Sequence, residues 1–509
     1  MFVVYIGLLA ATAWLFKAVP GGFIPVQDKL YLFAGANLPE GASLSRTDSV
    51  LRQMEAIARK TEGVEMIPAF AGMNAMQAVN TPNVTSAYVL LKPFGERKHS
   101  AAQITAELNA GFAGIKDGFA YAMMPPPIEG IGNGSGYALY LEDRAGLGYG
   151  ALQNAVNAFQ AAIAKTPGMQ YAVSSYQSNI PQLEVKVDRL KAKAQGVALT
   201  DLFEALQIYL GSAYVNDFNA FGRVYRVMVQ ADAAHRQTVE DIANLRVRNA
   251  SAEMVPIGAM VAVTPTFGPD PVVRYNGYPA ADLVGEADPA ELSSGQTIAR
   301  IEAIAKKVLP PGIAFEWTDL SYQQVTQSNV AIIAFPLAVL LVFLVLAALY
   351  ESWTLPLAVL LIVPVCMAAA LFGIWLSGGD NNVFVQIGLV VLMGLACKNA
   401  ILLVEFARKL EIQGKGIVEA VLEACRLRLR PIVMTSVAFI AGSIPLMISS
   451  GAGSEIRVAT GVTVFAGMLG VTLFGLFLTP VFYLAIRTLA GGQTAASVEQ
   501  AVARNGERR

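Results

Sequence analysis

The sequence predicts an α+β membrane protein with one transmembrane helix, a large polar insert and then five more transmembrane helices. Three observations lead to this fold class. Hydrophobic residues make up 54% of the 509 residues and charged residues only 15%, which is too apolar for a soluble protein of this length. Six apolar runs reach or approach the roughly 20 residues that cross a bilayer. Residues 20–328, between the first run and the second, are of mixed polarity.

The apolar runs predict the transmembrane helices in order. They cover residues 2–19, 329–350, 355–377, 383–406, 432–450 and 458–487. No positively charged stretch precedes the first run, which argues against a cleaved signal peptide. We expect a transmembrane helix within 1–19 whose upstream part is missing; a signal anchor is the alternative. The other helices form a five-helix bundle over 329–490, and residues 491–509 are expected to be a disordered cytoplasmic tail.

Basic residues orient these helices. The loop after the fourth run holds more lysines and arginines than glutamates, the basic ones being Arg408, Lys409, Lys415, Arg426, Arg428 and Arg430. Cytoplasmic loops are enriched in Lys and Arg, so this loop is expected in the cytoplasm. Counting back across three helices places residues 20–328 in the periplasm of a bacterium.

The periplasmic segment alternates strand-like and helix-like pieces. The strand-like pieces are 29–36, 64–71, 84–92, 119–124, 136–142, 168–176, 182–188, 222–230, 271–276, 280–286 and 313–317. The helix-like pieces are 43–61, 100–116, 147–165, 199–211 and 293–308. The order strand–helix–strand, strand–helix–strand occurs across 29–124 and again from 136, where residues 178–268 interrupt it. This pattern predicts two split βαβ, ferredoxin-like subdomains, the second with an insertion.

Composition and motifs exclude several functions. The net charge of −1 gives no sign of nucleic-acid binding. The chain has three cysteines and two histidines, Cys366, Cys397, Cys425, His99 and His235. Their spacing fits neither a disulfide framework nor a zinc site. The glycine string 129–136 fits no phosphate-binding motif and is interpreted as a hinge. No catalytic motif is present, so we expect neither an enzyme nor a cofactor or metal.

Lys398 is the strongest functional signal, because it lies deep inside the apolar run 383–406. A charge at mid-membrane costs about 2.5–3.5 kcal/mol on insertion scales and is functional by default. No apolar run offers a mid-helix Asp or Glu as its partner. A carboxylate beside this lysine is held ionised, and protonating it releases the lysine and lets helices shift. A static ion pair is the alternative. Asn399 adds a second polar group beside it.

Polar residues also mark the start of the fifth apolar run. Pro431 is expected in the first turn of a helix. Arg428 and Thr435 are seven residues apart and are expected to share one helical face. Arg426 and Arg430 are interpreted as cytoplasmic anchors. For Thr435, the alternative is a hydroxyl bonded to the carbonyl four residues earlier in its own helix.

Aromatic residues and methionines of the periplasmic segment offer an adaptable apolar surface for varied ligands. From spacing alone most of them are interpreted as core. Met73 and Met76 lie in the loop-like stretch 72–80, where core packing explains them less easily. The candidate binding residues are Phe33, Phe70, Met73, Met76, Tyr88, Tyr137 and Leu139.

Five motifs carry a resemblance to a known family. The most specific is GLACKNAILLVEFA around Lys398, and the full set is Gly394–Ala407, Ala348–Trp353, Arg428–Ser436, Ser212–Phe218 and Gly451–Ser454. With these motifs the chain resembles the resistance-nodulation-division (RND) multidrug efflux permeases, in the hydrophobe/amphiphile branch of Gram-negative bacteria. The resemblance is to the C-terminal half of those permeases.

The resemblance implies a division of the periplasmic segment. Residues 20–145 correspond to one porter subdomain, and residues 146–176 with 270–328 correspond to a second. The insertion 177–269 corresponds to a docking subdomain, with a hairpin near Arg246 to Met254 that reaches a partner above it.

The resemblance also implies a mechanism and partners. The family's permease is an inner-membrane homotrimer that works with a periplasmic adaptor and an outer-membrane channel and exports amphiphilic compounds against an inward flow of protons. Lys398, Arg428 and Thr435 fall on its proton-relay positions, with Asn399 beside them, and the seven candidate binding residues fall near its drug pocket. The proton-carrying aspartates belong to the other half, so this chain alone is not expected to pump.

Three alternatives stay open. A heavy-metal branch of the family uses methionine ligands, but Phe33 occupies the corresponding early pocket position, which disfavours metal export. A non-drug relative, such as a protein-export accessory subunit, shares the arrangement of helices. A purely structural subunit would hold Lys398 in a static pair.

Overall fold

A computed structural model describes residues 2–132, 134–289, 291–327 and 330–489. The chain divides into two compact units, one made of Met1–Ser175 with Val273–Arg509 and the other of Tyr176–Val272. The predicted docking segment, 177–269, falls inside the second unit. The predicted tail, 491–509, lies outside the described residues.

The helices of the described residues follow in chain order. They are α1 (Phe2–Ala18), α2 (Leu44–Ala58), α3 (Ala101–Phe112), α4 (Tyr149–Ala164), α5 (Arg189–Ala194), α6 (Leu199–Leu206), α7 (Val239–Asn244), α8 (Ser294–Val308), α9 (Asp319–Gln327), α10 (Val330–Tyr350), α11 (Leu355–Leu360), α12 (Val363–Leu376), α13 (Val383–Ile412), α14 (Ile417–Met447) and α15 (Ser454–Leu489). All five helices predicted in the polar segment are confirmed, although the last predicted turn of 199–211 is a π-helix over Gln207–Gly211.

The strands, in the same order, form several antiparallel sheets. They are β1 (Tyr31–Asn37), β2 (Val64–Met66), β3 (Ala69–Asn74), β4 (Val79–Leu91), β5 (Phe119–Met123), β6 (Tyr137–Asp143), β7 (Met169–Val173), β8 (Ile180–Val187), β9 (Ala213–Ala220), β10 (Arg223–Val229), β11 (Arg246–Arg248), β12 (Met254–Pro256), β13 (Val261–Gly268), β14 (Arg274–Tyr275), β15 (Tyr278–Ala287) and β16 (Ile313–Trp317). Together with the apolar helices they agree with the predicted α+β membrane class.

One sheet takes its strands from the first predicted subdomain. Its order is β2–β4–β1–β5, with β3 also paired to β4. Helices α2 and α3 cover one face because their apolar residues recur at helical spacing, as in Val50 and Met54 of α2 and Ile104 and Leu108 of α3, all fully buried. Ser100 caps α3 with a reciprocal capping box to Gln103, which fixes where that helix begins.

A second sheet repeats this arrangement. Its order is β14–β15–β6–β16, with β7 also paired to β15. Strands β6, β7, β15 and β16 therefore occupy the positions that β1, the β2–β3 pair, β4 and β5 occupy in the first sheet, which is the predicted repeat of a split βαβ pattern. The second compact unit, Tyr176–Val272, lies between β7 and β14 in the chain.

That second unit contains three two-stranded sheets, β8–β13, β9–β10 and β11–β12. The β11–β12 pair confirms a hairpin near Arg246 to Met254. The sequence did not predict β9 or β13. Among the described strands β9 pairs only with β10 and buries neither face, so it lacks the apolar alternation of a half-buried strand. Pro265 interrupts the pattern of β13.

Among the described residues, five helical segments are long and apolar enough to cross a membrane, counting α11 and α12 together as one, and α1 is a shorter apolar helix. The six-span count therefore stays a prediction. The predicted run 355–377 is broken into α11 and α12, because Pro364 at the start of α12 has no N–H for the helical hydrogen bond.

The predicted start of the fifth membrane helix was wrong. Helix α14 begins at Ile417 instead of 432, and α13 continues to Ile412, so only a short turn separates them. Pro431 consequently lies inside α14 and not in a first turn. Residues 417–430 are rich in the helix formers Ala, Leu, Glu and Arg, which carry the helix into the apolar run. Membrane helices tolerate such internal prolines.

Small residues let α12 and α15 approach closely. A Cβ atom added at Gly470 would lie 2.1 Å from the Cβ of Ala369, and one added at Gly373 would lie 2.3 Å from the Cβ of Ala466. This close contact agrees with the four-residue spacing of Ala466 and Gly470 in the sequence.

We expect Gly470→Leu to destabilise the helix bundle, because the new side chain forces α12 and α15 apart. Overpacking of this kind costs about 1–3 kcal/mol. The measurement is the thermal unfolding temperature of the detergent-solubilised protein. Gly7→Leu is the matched control, since a Cβ at Gly7 of α1 has nothing within 4 Å. Equal unfolding temperatures for the two variants would contradict the close packing.

Candidate functional site

Lys398 lies at the middle of α13, a 30-residue helix whose N-terminus is capped by the side chain of Asn382. The side chain of Lys398 is exposed, on the same face as Val391 and Gly394. Its Nζ lies 5.1 Å from the centre of the Phe439 ring on α14. Among the described residues no carboxylate oxygen lies within 4.0 Å of this Nζ. The ammonium thus has an aromatic neighbour and no counter-ion in this part of the chain.

The acidic residues of α13 are committed to other cations. Glu405 pairs with Lys409 at 3.1 Å in its own helix. Glu411, near the helix end, accepts two hydrogen bonds from Arg487 of α15, at 3.0 and 2.8 Å. Because Glu405 is seven residues from Lys398, about 10 Å separates them along the helix axis. Neither glutamate pairs with Lys398.

Asn399 connects α13 to α14. Its amide nitrogen donates a hydrogen bond of 2.9 Å to the hydroxyl of Ser436, which is fully buried. A cavity of about 10 Å³ adjoins Asn399 and is also lined by Thr479. This is about the smallest volume that holds one water molecule, and two polar side chains face it.

Arg428 and Thr435 lie on the same side of α14. The guanidinium carbon of Arg428 lies 4.1 Å from the centre of the Phe406 ring of α13, and its buried Nε has no hydrogen-bond partner among the described residues. The hydroxyl of Thr435 donates to the carbonyl of Ile432 at 3.0 Å, three residues earlier and not the four that the alternative interpretation expected.

These contacts place Lys398, Asn399 and Arg428 along the line where α13 and α14 meet, and Thr435 lies next to Ser436 in the same stretch of α14. We call Lys398, Asn399, Arg428, Thr435 and Ser436 the polar seam. The two helices are antiparallel, so the Lys398–Phe439 and Arg428–Phe406 contacts lie at successive levels of the seam. Ser436 and Phe439 were not predicted, because only the relative rotation of the two helices shows which α14 residues face α13.

Part of the predicted pocket comes together between the two sheets. Phe33 of β1 lies opposite Tyr88 of β4, with ring centres 5.0 Å apart. Met76 lies 4.0 Å, sulfur to oxygen, from the hydroxyl of Tyr121. These residues pack with neighbours from both sheets in one apolar group, the aromatic cluster, which consists of Phe33, Met76, Tyr88, Tyr121, Met123, Tyr171, Val173 and Val284.

The other pocket candidates lie in different surroundings. Phe70, on β3, is 46% exposed, whereas Met73, also on β3, is half-buried. Tyr137 is buried and donates a hydrogen bond of 3.0 Å to the carbonyl of Tyr171 in the aromatic cluster. Leu139 is fully buried within the second sheet, opposite Leu283. Their binding roles stay predictions.

Two half-buried carboxyl groups beside the aromatic cluster were not predicted. Asp282 of β15 accepts hydrogen bonds from Ser175 Oγ at 2.8 Å and from Gln77 Nε2 at 3.4 Å. Glu286, on the same face of β15, accepts hydrogen bonds from Ser135 and Tyr171. Burial raises the pKa of Asp282 and of Glu286 above ordinary values, although these hydrogen bonds oppose the shift. The sequence did contain a signal for this pair, because two acidic residues within an otherwise apolar strand are unusual.

We expect Asp282→Asn to raise stability at neutral pH. A raised pKa means that folding favours the protonated acid, so its stabilisation is complete below the unfolded pKa of about 3.9 and is lost as pH rises through the raised folded pKa. The variant should therefore unfold at a higher temperature than the wild type at pH 7, with the difference shrinking near pH 4. The exposed Asp48→Asn serves as control. An equal or lower unfolding temperature at pH 7 would contradict the burial cost.

The family of this chain is identified by comparison with known proteins. The model of the AcrB/AcrD/AcrF family matches residues 1–487. The chain belongs to the AcrB/AcrD/AcrF family. Membership confirms the predicted resemblance to RND efflux permeases, whose members in this comparison are transporters and not enzymes.

Three relatives illustrate the similarity. The toluene efflux pump membrane transporter TtgB of Pseudomonas putida is 38% identical over 491 residues, 96% of this chain and 47% of that protein. The multidrug export protein AcrF of Escherichia coli (strain K12) is 40% identical over 489 residues, 95% and 47% of the two chains. The multidrug resistance protein MdtF of the same strain is 36% identical over 494 residues, 96% and 47%. The chain spans about half the length of these AcrB/AcrD/AcrF relatives.

Proposed function

We propose that the chain is part of a proton-driven efflux pump of the bacterial inner membrane that exports hydrophobic and amphiphilic compounds. The observation that carries this proposal is Lys398, a charge at the middle of a membrane helix with no carboxylate within 4.0 Å among the described residues. Residues 20–328 would then face the periplasm, which the basic residues Arg408, Lys409 and Lys415 at the turn between α13 and α14 support.

The surroundings of Lys398 leave room for a partner. Gly394 lies one turn before it on the same exposed face, and a Cβ added there would meet nothing within 4 Å. An uncompensated ammonium in hydrocarbon is costly, so the site favours a carboxylate-bearing helix on this face. We propose that this helix belongs to the portion of the relatives that this chain does not span.

The polar seam gives such a pair two states. With the carboxylate ionised, Lys398 is attracted to it across the open face. Once the carboxylate is protonated, that attraction ends and Lys398 is free to turn towards Phe439. Because Asn399 and Ser436 connect α13 to α14, a displacement of Lys398 would be shared by both helices. Proton binding would thus be converted into helix movement.

The aromatic cluster is the proposed substrate surface. It lies between two sheets of the split βαβ pattern, the proposed porter subdomains, and it combines rings, methionines and valines that adapt to varied apolar ligands. Phe70 and Met73 on β3 would extend it. Tyr137 and Leu139 are buried, so contact with a substrate would require the two sheets to separate. The names of the relatives, a toluene pump and multidrug exporters, support this class of compound.

The second compact unit supports the proposed assembly. The β9–β10 pair, which we call the arm, exposes large apolar side chains, with Phe221 at its tip 95% and Val224 66% exposed. Exposed apolar patches of this kind mark protein interfaces. We propose that the arm contacts another subunit of a homotrimer, and that the β11–β12 hairpin faces the outer-membrane channel or the periplasmic adaptor.

We expect Lys398→Ala in the whole transporter to abolish export while trimer assembly and drug binding persist, because the lysine acts on the proton step and not on the substrate. Export of a fluorescent dye by vesicles under an imposed proton gradient measures the effect. Lys409→Ala is the control, since Lys409 lies on the same helix and pairs with Glu405. Wild-type export by the Lys398→Ala variant would leave a static role, with Phe439 as its neighbour, as the better interpretation.

We also expect the 509-residue chain on its own to show no proton-coupled export. Its polar seam has the cation but, in the part of the chain that the structure describes, no carboxylate to carry the proton. The test is dye export by vesicles containing only this chain, with the whole transporter assayed in parallel. Gradient-dependent export by the isolated chain would refute the missing-partner argument.

A further inference from the structure

Asp28 lies between α1 and β1 and is hydrogen-bonded to the first subdomain, which is the sheet β2–β4–β1–β5 with its helices α2 and α3. Its Oδ2 accepts hydrogen bonds from Arg97 Nη2 at 2.5 Å and from the backbone N–H of Ala101 at 3.0 Å. Its Oδ1 accepts one from the N–H of Leu30 at 3.2 Å. Ala101 is the first residue of α3, where a negative charge is favourable. Asp28 therefore moves with this subdomain.

Glu455 brings the first turn of α15 to the same place. Its Oε1 accepts a hydrogen bond of 3.3 Å from the backbone N–H of Asp28, and its buried Oε2 has no hydrogen-bond partner among the described residues. The preceding loop makes a second contact, because a Cβ added at Gly451 would lie 3.8 Å from the Phe94 ring. The N-terminus of the membrane helix α15 therefore contacts the first subdomain directly.

Arg97 completes the group. Its side chain is only 2% exposed, and it lies over the Phe94 ring at 4.7 Å. Of its guanidinium nitrogens, Nε and Nη1 are buried without a hydrogen-bond partner in the described part of the chain. Spare donors on Arg97 and a spare acceptor on Glu455 therefore flank the same aspartate. Buried polar atoms of charged side chains that lack a hydrogen bond are costly, so an arrangement that joins Arg97 to Glu455 is favoured once α15 shifts.

Helix α15 is also interlocked with the helix that carries Lys398. A Cβ added at Gly467 would lie 2.0 Å from Leu392 of α13, and one at Gly388 of α13 would lie 3.0 Å from Thr463 of α15. Close-packed helices of this kind shift together and do not slide independently. Movement of α13 at the polar seam would consequently reach Glu455.

We propose that Glu455 is a coupling residue that passes movement of the membrane helices to the first sheet's subdomain, by exchanging its contact with Asp28 for a second one with Arg97. The proposal rests on the proposed function, since it gives proton-driven helix movement a route to the substrate surface. Phe33 and Tyr88 of the aromatic cluster lie on strands of this same subdomain.

The first test compares Glu455→Ala with Glu129→Ala in the whole transporter. Glu129 is a 79% exposed carboxylate of the same subdomain, near Lys29. We expect Glu455→Ala to lower the maximal export rate by about fivefold or more, the lower end of coupling between sites. The dissociation constant for the drug and the amount of trimer should not change. Glu455→Gln keeps an acceptor for Asp28 but loses the charge that Arg97 requires, and it should also be slow. Export rates of both Glu455 variants equal to that of Glu129→Ala would overturn the proposal.

A second measurement does not depend on removing Glu455. A photoreactive phenylalanine analogue at position 94 should crosslink to residues 448–456, since the Phe94 ring lies against Gly451. We expect the crosslinking yield to change when a proton gradient is imposed on the vesicles. A yield that is the same with and without the gradient would overturn the coupling. A wild type that does not export would instead refute the proposed function, and the gradient dependence of the crosslink would still decide whether this contact moves.

Discussion

The membrane half of this structure depends on one constraint, the placement of the Lys398 ammonium in the middle of an apolar helix. The chain stabilises this ammonium only in part, because the Phe439 ring of α14 lies beside it while the face of α13 that carries Lys398 is exposed. The glycines of α13 and α15 near Lys398 fit this arrangement. Gly394 keeps the open face accessible, while close approaches at Gly388 and Gly467 pack α13 tightly against α15 on another face of α13. The helix is therefore fixed on one side and available on the other.

Outside the membrane helices, other charged side chains are also only partly satisfied by their neighbours. Arg97 and Glu455 each have a buried polar atom with no hydrogen-bond partner among the described residues, and the half-buried Asp282 is hydrogen-bonded to the neutral groups of Ser175 and Gln77. Each is stable only because surrounding packing holds it, and each changes its interactions when packed elements shift. In this AcrB/AcrD/AcrF family chain, Arg97 and Glu455 lie where the helix bundle meets the first sheet, whereas Asp282 lies beside the aromatic cluster between the two sheets.

The sequence predicted most of the fold for specific physical reasons. Apolar runs and capping residues located the helices, and strand alternation located the sheets wherever one face is buried. It failed where those signals are absent, as in β9, which buries neither face, and at Pro431, where a helix continues through proline. Lys398 was predicted because a charged residue within an apolar run is visible in the sequence alone. Ser436 and Asp282 were missed because their importance arises from the rotation of a helix and the meeting of two sheets.

The arm has a consequence for how this protein is made. Within the described part of the chain, strands β9 and β10 pair only with each other, so both outer edges carry backbone groups without a strand partner there, next to apolar side chains such as Phe221 and Val224. Open strand edges of this kind template pairing with other chains and lead to swapping or aggregation. In the proposed homotrimer, a newly synthesised subunit would therefore be a target for chaperones and proteases, and its lifetime in the cell would be set by how quickly it assembles.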